Sequence, residues 1–122
     1  MPDIQALLRA GLAQLGLSPD TAPQLGRYGQ LLAEKNQVMN LTAITDPVEV
    51  AQKHMLDCAA LLGAARFQGK SVIDVGSGAG FPGLVLKLCE GSIDLTLLDS
   101  LQKRVDWLEE AAQALGVSVT AL

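Results

Sequence analysis

The stretch Val72-Ile73-Asp74-Val75-Gly76-Ser77-Gly78-Ala79-Gly80-Phe81-Pro82-Gly83 constrains the fold more than any other part of the chain. Ser71 to Val75 is a short, β-branched, apolar run bounded by Gly69 and Gly76. It predicts a buried strand. The strand runs straight into a glycine-dense turn, and the turn opens a helix predicted from Pro82 to Cys89 and ended by Gly91. Glycine permits positive φ there and lets a ligand approach the backbone without meeting a Cβ. The start of the helix is expected to offer backbone N–H donors.

The same alternation continues downstream. Ile93 to Leu98 reads as a second strand, and Val117 to Ala121 starts a third. Between them a helix is predicted over Gln102 to Leu115, with Val105, Leu108, Ala111, Ala112 and Leu115 inward and Gly116 as its stop. Strand, helix, strand, helix, strand with short connections predicts an α/β fold, the first half of a parallel, doubly wound, Rossmann-like sheet. Three such strands leave the first without an inner neighbour and expose apolar side chains and unpaired backbone. The chain is therefore expected to be the first part of a longer protein.

The region before Gln68 reads as helical. Ile4, Leu7, Leu8, Leu12 and Leu15 share one helix face, and Gly16 suits a left-handed stop. A second helix is expected from about Asp20 to Met39, weakened by Gly26 and Gly29. Asn40 to Thr45 breaks the pattern, and Asn36, Asn40 and Thr42 are expected to order that break through side-chain to backbone bonds. Asp46-Pro47-Val48-Glu49 is a helix start, with a helix expected to run to Leu62. The expected division is residues 1–66 as an N-terminal helical extension and 67–122 as the first part of the Rossmann-like domain.

Composition bounds the function. With aromatics at 3%, the core must be built from Leu, Val, Ile and Ala. Cys58 and Cys89 make no disulfide framework and have no metal-ligand spacing, so both are read as small buried residues in a reducing cytoplasm, with no metal site. The formal charge of −4 argues mildly against a general nucleic-acid binder, though not against a local basic patch. The sequence has neither a run of about 18 apolar residues nor a basic region followed by an apolar run at its start, so no membrane partner is expected.

Two ligands compete for the glycine turn. Gly78-x-Gly80-x-x-Gly83 matches a dinucleotide fingerprint by spacing, but Gly78 lies 3 residues beyond Val75, whereas that fingerprint begins at the strand end. Gly76-x-Gly78-x-Gly80 fits the strand better, and Asp74 precedes it. A carboxylate at this tip opposes a pyrophosphate. It suits the ammonium and sulfonium of S-adenosyl-L-methionine. A nicotinamide-dependent enzyme is the alternative, and a module that binds S-adenosylmethionine without catalysis is a third possibility. Asp99 lies 23 residues after Gly76, the place from which an acidic residue takes the two ribose hydroxyls of either cofactor. Its bland role is to cap the next helix, which Ser100 could do alone. Lys103 and Arg104 open that helix, either as a solvated turn or as phosphate contacts to RNA. His54 is read as a structural group paired with Asp57 three residues on. Trp107 is read as helix packing.

Asn40-Leu41-Thr42-Ala43-Ile44, Glu49, His54-Met55-Leu56-Asp57, the DVGSGAGFPG segment and TLLDSLQKR, in this order, closely resemble the RsmG (GidB) family, which methylates N7 of a guanosine in bacterial 16S ribosomal RNA. Cys58 departs from the serine usual after the HxxD pattern, and family members are longer than this chain. The resemblance implies a class I methyltransferase fold with an N-terminal helical extension. It also implies that Gly76, Gly78 and Phe81 line the cofactor pocket and that Asp99 faces the ribose. The expected cofactor-binding set is Asp74, Gly76, Ser77, Gly78, Gly80, Phe81, Asp99 and Ser100. Lys103 and Arg104 are expected on the side of the partner, 16S ribosomal RNA or the small ribosomal subunit, and the whole protein is expected to be a monomer. Guanine N7 already carries a lone pair, so no general base is nominated and orientation carries the chemistry.

Overall fold

A computed structural model describes residues 3–122. Helix α1 (Ile4–Gln14) starts where the Asp3 carboxylate accepts the Ala6 N–H and ends at Gly16, whose φ is 74°. Ser18 caps a 3-10 turn, Pro19–Thr21, which leads into α2 (Ala22–Asn36). Leu8 and Leu12 of α1 and Leu25, Tyr28 and Leu32 of α2 are fully buried. Each such leucine contributes about 1.5–3 kcal/mol of burial.

The expected helix from Asp46 to Leu62 is present as a continuous helical path of changing pitch. It comprises α3 (Pro47–Glu49), a π-helical segment Val50–Leu56, α4 (Asp57–Ala59) and a 3-10 end, Ala60–Gly63. Asp46 caps it through the Glu49 N–H, as the sequence suggests. Met55 and Ala59 of this path are buried against the other helices.

The sheet has three parallel strands in the order β1 (Ser71–Val75), β2 (Asp94–Leu98), β3 (Thr120–Ala121), with Ser71 opposite Asp94 and Val75 opposite Leu98. Helix α5 (Gly83–Cys89) packs on β1 and β2, and α6 (Gln102–Ala114) packs on β2 and β3. Helix α2 also touches α5, so one apolar cluster runs from Leu8 to Leu115 through both the helical extension and the covered sheet face. All five inward positions expected on α6 are buried, and so is Trp107.

Strand β1 corrects the expectation of a buried strand. Ile73 is 62% and Val75 is 77% exposed. The period-2 alternation turns Val72 and Asp74 toward the helices, while Ile73 and Val75 face the side of the sheet that the described residues leave uncovered. The strand is also an edge of the described sheet. No helix among the described residues is long and apolar enough to cross a membrane.

Candidate functional site

The glycine turn leaves β1 through Gly76, Gly78 and Gly80, with φ of 74°, 53° and 98°. These left-handed values explain why three glycines occur in five residues. A Cβ at Gly76 would meet nothing within 4 Å, and one at Gly78 only the Gly76 carbonyl at 3.9 Å. Side chains are therefore barred there by backbone conformation, and the space beside the turn is open. The turn is anchored at its start, where Gly76 and Ser77 N–H both donate to the Leu98 carbonyl, at 2.8 and 3.0 Å. Ser77, buried, donates its hydroxyl to the Asp74 carbonyl.

Gly83 serves a different need. A Cβ there would stand 2.7 Å from Leu97 Cδ2 and 2.8 Å from Asp74 Oδ2. The missing side chain lets α5 approach β1 so closely that the Gly83 N–H donates to Asp74 Oδ2 at 3.0 Å. The Leu84 N–H donates to the Gly80 carbonyl. This corrects the expectation of free donors at the helix start: those of Gly83 and Leu84 are taken internally, one of them by a carboxylate. Burial pushes the Asp74 carboxyl above its usual range, and the Gly83 N–H and Ser77 hydroxyl offset that only in part.

Asp99, at the tip of β2, is held more firmly. Its Oδ2 accepts the Gly78 N–H at 2.9 Å and its Oδ1 the Leu101 N–H at 3.0 Å. Arg104 Nη1 lies 3.7 Å from the same Oδ1. Burial acts to raise this carboxyl, but the N–H groups of Leu101, Gly78 and Ser100 and the Arg104 guanidinium outweigh it and hold the group below its usual range. Asp99 thus joins the glycine turn to the start of α6. Leu101 is the cap residue of α6, and Ser100 makes no cap bond, which corrects its suggested role. Arg104 leans on Asp99, whereas Lys103 is exposed and forms no ion pair among the described residues. No group of three or more His, Cys, Asp or Glu side chains among the described residues could hold a metal.

Phe81 is turned toward the helical extension. Its ring stacks on His54, with centroids 4.3 Å apart and planes at 7°, and on Tyr28 at 5.3 Å and 22°. His54 Nε2 lies 3.1 Å from Thr42 Oγ1. The expected His54–Asp57 pair is absent from the described hydrogen bonds and ion pairs. The i+5 repeat of the π-helical segment removes the register that would set a residue three positions on over His54. Burial lowers the His54 pKa. The 40–45 break is ordered as expected by Asn36, whose Oδ1 accepts the Leu41 and Thr42 N–H groups, and by Thr42 Oγ1, which accepts the Ile44 N–H. Cys58 and Cys89 are half-buried thiols, each pushed to about 11, chiefly by burial.

Tyr28 is the site neighbour that sequence reasoning passed over. The helical period makes it one apolar position of α2, yet its hydroxyl donates to the Ala79 carbonyl inside the glycine turn. The available signal was the hydroxyl itself, since a buried tyrosine needs a polar partner.

The comparisons with known proteins identify the family. Residues 21–122 match the family model GidB, described as rRNA small subunit methyltransferase G. The chain is similar to a ribosomal RNA small subunit methyltransferase G from Symbiobacterium thermophilum, 51% identical over 113 residues, which cover 90% of this chain and 46% of the relative. A relative of the same name from Alkaliphilus metalliredigens is 45% identical over 114 residues, covering 91% of this chain and 48% of its own. One from Anaeromyxobacter is 38% identical over 122 residues, covering 98% and 56%. The chain spans about half the length of these relatives.

Proposed function

We propose, for a chain that belongs to the GidB family of rRNA small subunit methyltransferases G, that it forms the S-adenosylmethionine-binding part of an enzyme that methylates N7 of a guanosine in 16S ribosomal RNA. The observation that carries the reading is the open glycine turn between two carboxylates at the tips of adjacent parallel strands, Asp74 and Asp99. The residues suit such a cofactor. The turn beside Gly76 and Gly78 is open to a ligand, which a side chain at either position would enter. Asp74 Oδ1 has no partner among the described hydrogen bonds and is available to an ammonium group. Each Asp99 oxygen keeps a second lone pair for a ribose hydroxyl beside the N–H it already accepts. When bound, S-adenosylmethionine supplies a methyl group on a sulfonium, which is electrophilic without further activation.

What this chain's own groups do is orient and balance charge. Gly76, Ser77, Gly78 and Gly80 shape the wall, and the Asp74 carboxylate faces the cationic end. Asp99, with Ser100 beside it, anchors the sugar. Phe81, its ring packed on His54 and Tyr28, supports the wall from behind. Lys103 and Arg104 at the start of α6 are the proposed contacts to the RNA backbone. We assign no general base, because guanine N7 is already nucleophilic, and orientation supplies the rate.

A dinucleotide is disfavoured by the same geometry. Asp74 Oδ2 occupies the donor at the start of α5, so a pyrophosphate there would face a carboxylate instead of free N–H groups. We further propose that residues 1–66 form a helical extension that braces the domain begun at residue 67, and that the whole protein acts as a cytoplasmic monomer on ribosomal RNA or the small subunit.

Calorimetric titration tests the cofactor: S-adenosylhomocysteine is expected to bind and NAD not. Small ribosomal subunits lacking the modification, incubated with the whole protein and labelled S-adenosylmethionine, are expected to carry the label in 7-methylguanosine. Binding of NAD in place of S-adenosylhomocysteine, or label in another nucleoside, sinks the reading.

A further inference from the structure

We infer that Tyr28, on the helical extension, is a positioning residue that sets the shape of the glycine turn, and through it the affinity for the cofactor; this rests on the turn being the cofactor site proposed above. Tyr28 is fully buried on α2, 51 residues before the carbonyl it binds. It grips the turn on both sides of Gly80. On one side its hydroxyl donates to the buried Ala79 carbonyl; on the other its ring stacks on Phe81. Trp107 of α6 supports the same ring at 6.3 Å. Between the two grips, Gly80 has φ 98°, and a Cβ there would run into the Tyr28 hydroxyl and stand 2.8 Å from Leu84 Cδ1. Gly80 is thus constrained twice, by its backbone conformation and by the tyrosine lying over it.

The far end of the turn is fixed by different bonds, the two N–H groups donated to the Leu98 carbonyl. The stretch facing open space, Gly76 to Gly78, is held between these anchors. The anchor at Leu98 belongs to the sheet, and the anchor at Tyr28 belongs to the extension. Without the tyrosine hydroxyl, a buried carbonyl loses the only partner described for it, and the peptide at Ala79–Gly80 gains reason to rotate toward water. Rotation there would redirect the Gly78 segment and the N–H that reaches Asp99. The extension therefore does more than cover the sheet: one of its side chains determines the conformation of the ligand-facing backbone.

The test compares Tyr28→Phe, which keeps the ring and removes only the hydroxyl, with Leu32→Ala, a buried change on the same helix at a residue that gives the turn neither a hydrogen bond nor a stacked ring. Affinity for S-adenosylhomocysteine, corrected for the folded fraction, is expected to fall about three- to tenfold in Tyr28→Phe. It is expected to stay at the wild-type value in Leu32→Ala, although that variant melts at a lower temperature than Tyr28→Phe. Amide hydrogen exchange at Gly78 and Gly80 is expected to accelerate in Tyr28→Phe only. Unchanged affinity in Tyr28→Phe, or an equal loss in both variants, overturns the inference. If the wild-type chain does not bind S-adenosylhomocysteine, the proposed function falls by itself. Exchange then decides the positioning role: acceleration confined to Tyr28→Phe upholds it, and unchanged exchange overturns it.

Discussion

Asp74 and Asp99 stand at the tips of neighbouring parallel strands, yet the fold treats them in opposite ways. Asp74 is half-buried against the start of α5, with one N–H on one oxygen, and its carboxyl is raised above the usual range. Asp99 collects N–H groups from two separate segments and a guanidinium, and its carboxyl is lowered despite burial. The residue type is the same, and Asp74, the last residue but one of β1, and Asp99, the first beyond β2, lie two register positions apart. What differs is the ratio of desolvation to hydrogen bonds. Asp99 is a structural junction between the glycine turn and the start of α6. Asp74 is a carboxylate the fold tolerates at a cost, which points to a role outside folding.

The largest effect is expected where the Asp74 seat is made. Gly83→Ala places a Cβ within 2.8 Å of both Leu97 Cδ2 and Asp74 Oδ2. Neither neighbour is the end of a long flexible chain, so α5 must back away from β1. A loss of about 1–3 kcal/mol is expected from this overpacking. Chemical denaturation measures it, and a variant as stable as wild type would show that the close approach of helix and strand is not real. Next comes Asp99→Asn. The amide keeps one acceptor where two oxygens now serve Gly78 and Leu101, and it carries no charge to pair with Arg104. A loss of about 1–2 kcal/mol at neutral pH follows from breaking a charge-assisted bond. Because the folded carboxyl is lowered, its stabilisation is present above the unfolded value of about 4 and is lost as pH falls through the folded value. The gap between wild type and Asp99→Asn should therefore close on acidification, and a gap that stays constant with pH would remove the charge from the explanation.

The contrast also marks what could be read in advance. The strand–turn–helix order, the Asp46 cap, the stops at Gly16 and Gly116 and the inward face of α6 are local, and local pattern predicts them. That both carboxylates and the glycine turn lie together was legible because spacing along one chain reflects spacing at strand ends. Other features depend on contacts between distant segments. The ordinary helical period sets Asp57 over His54, but the π-helical turn at Val50–Leu56 breaks that register and gives His54 to Thr42 and Phe81. Composition marks Ile73 and Val75 as core, but burial is a property of what covers a sheet face, not of the strand. The Gly78–Asp99 bond and the Tyr28 grip join residues 21 and 51 positions apart, and no local pattern encodes them.

The smallest effect, and the sharpest for the comparison, is expected from Asp74→Asn. A group whose folded pKa is raised favours the folded state most when protonated. Its contribution is fully present below the unfolded value of about 4 and is lost as pH rises through the folded value. At neutral pH the wild-type chain therefore folds against a half-desolvated charge, and an asparagine there removes it. The asparagine oxygen still accepts the Gly83 N–H, so the helix start stays satisfied. Stability within about 0.5 kcal/mol of wild type, or higher, is expected at pH 7. Relative to wild type, the variant should gain stability as pH rises above about 4. Urea melts of both Asn variants across pH 3 to 7 decide it. Should Asp74→Asn be the more damaging of the two at pH 7, the carboxylate would be serving the fold after all, and the physical reason for assigning it to a ligand would be gone.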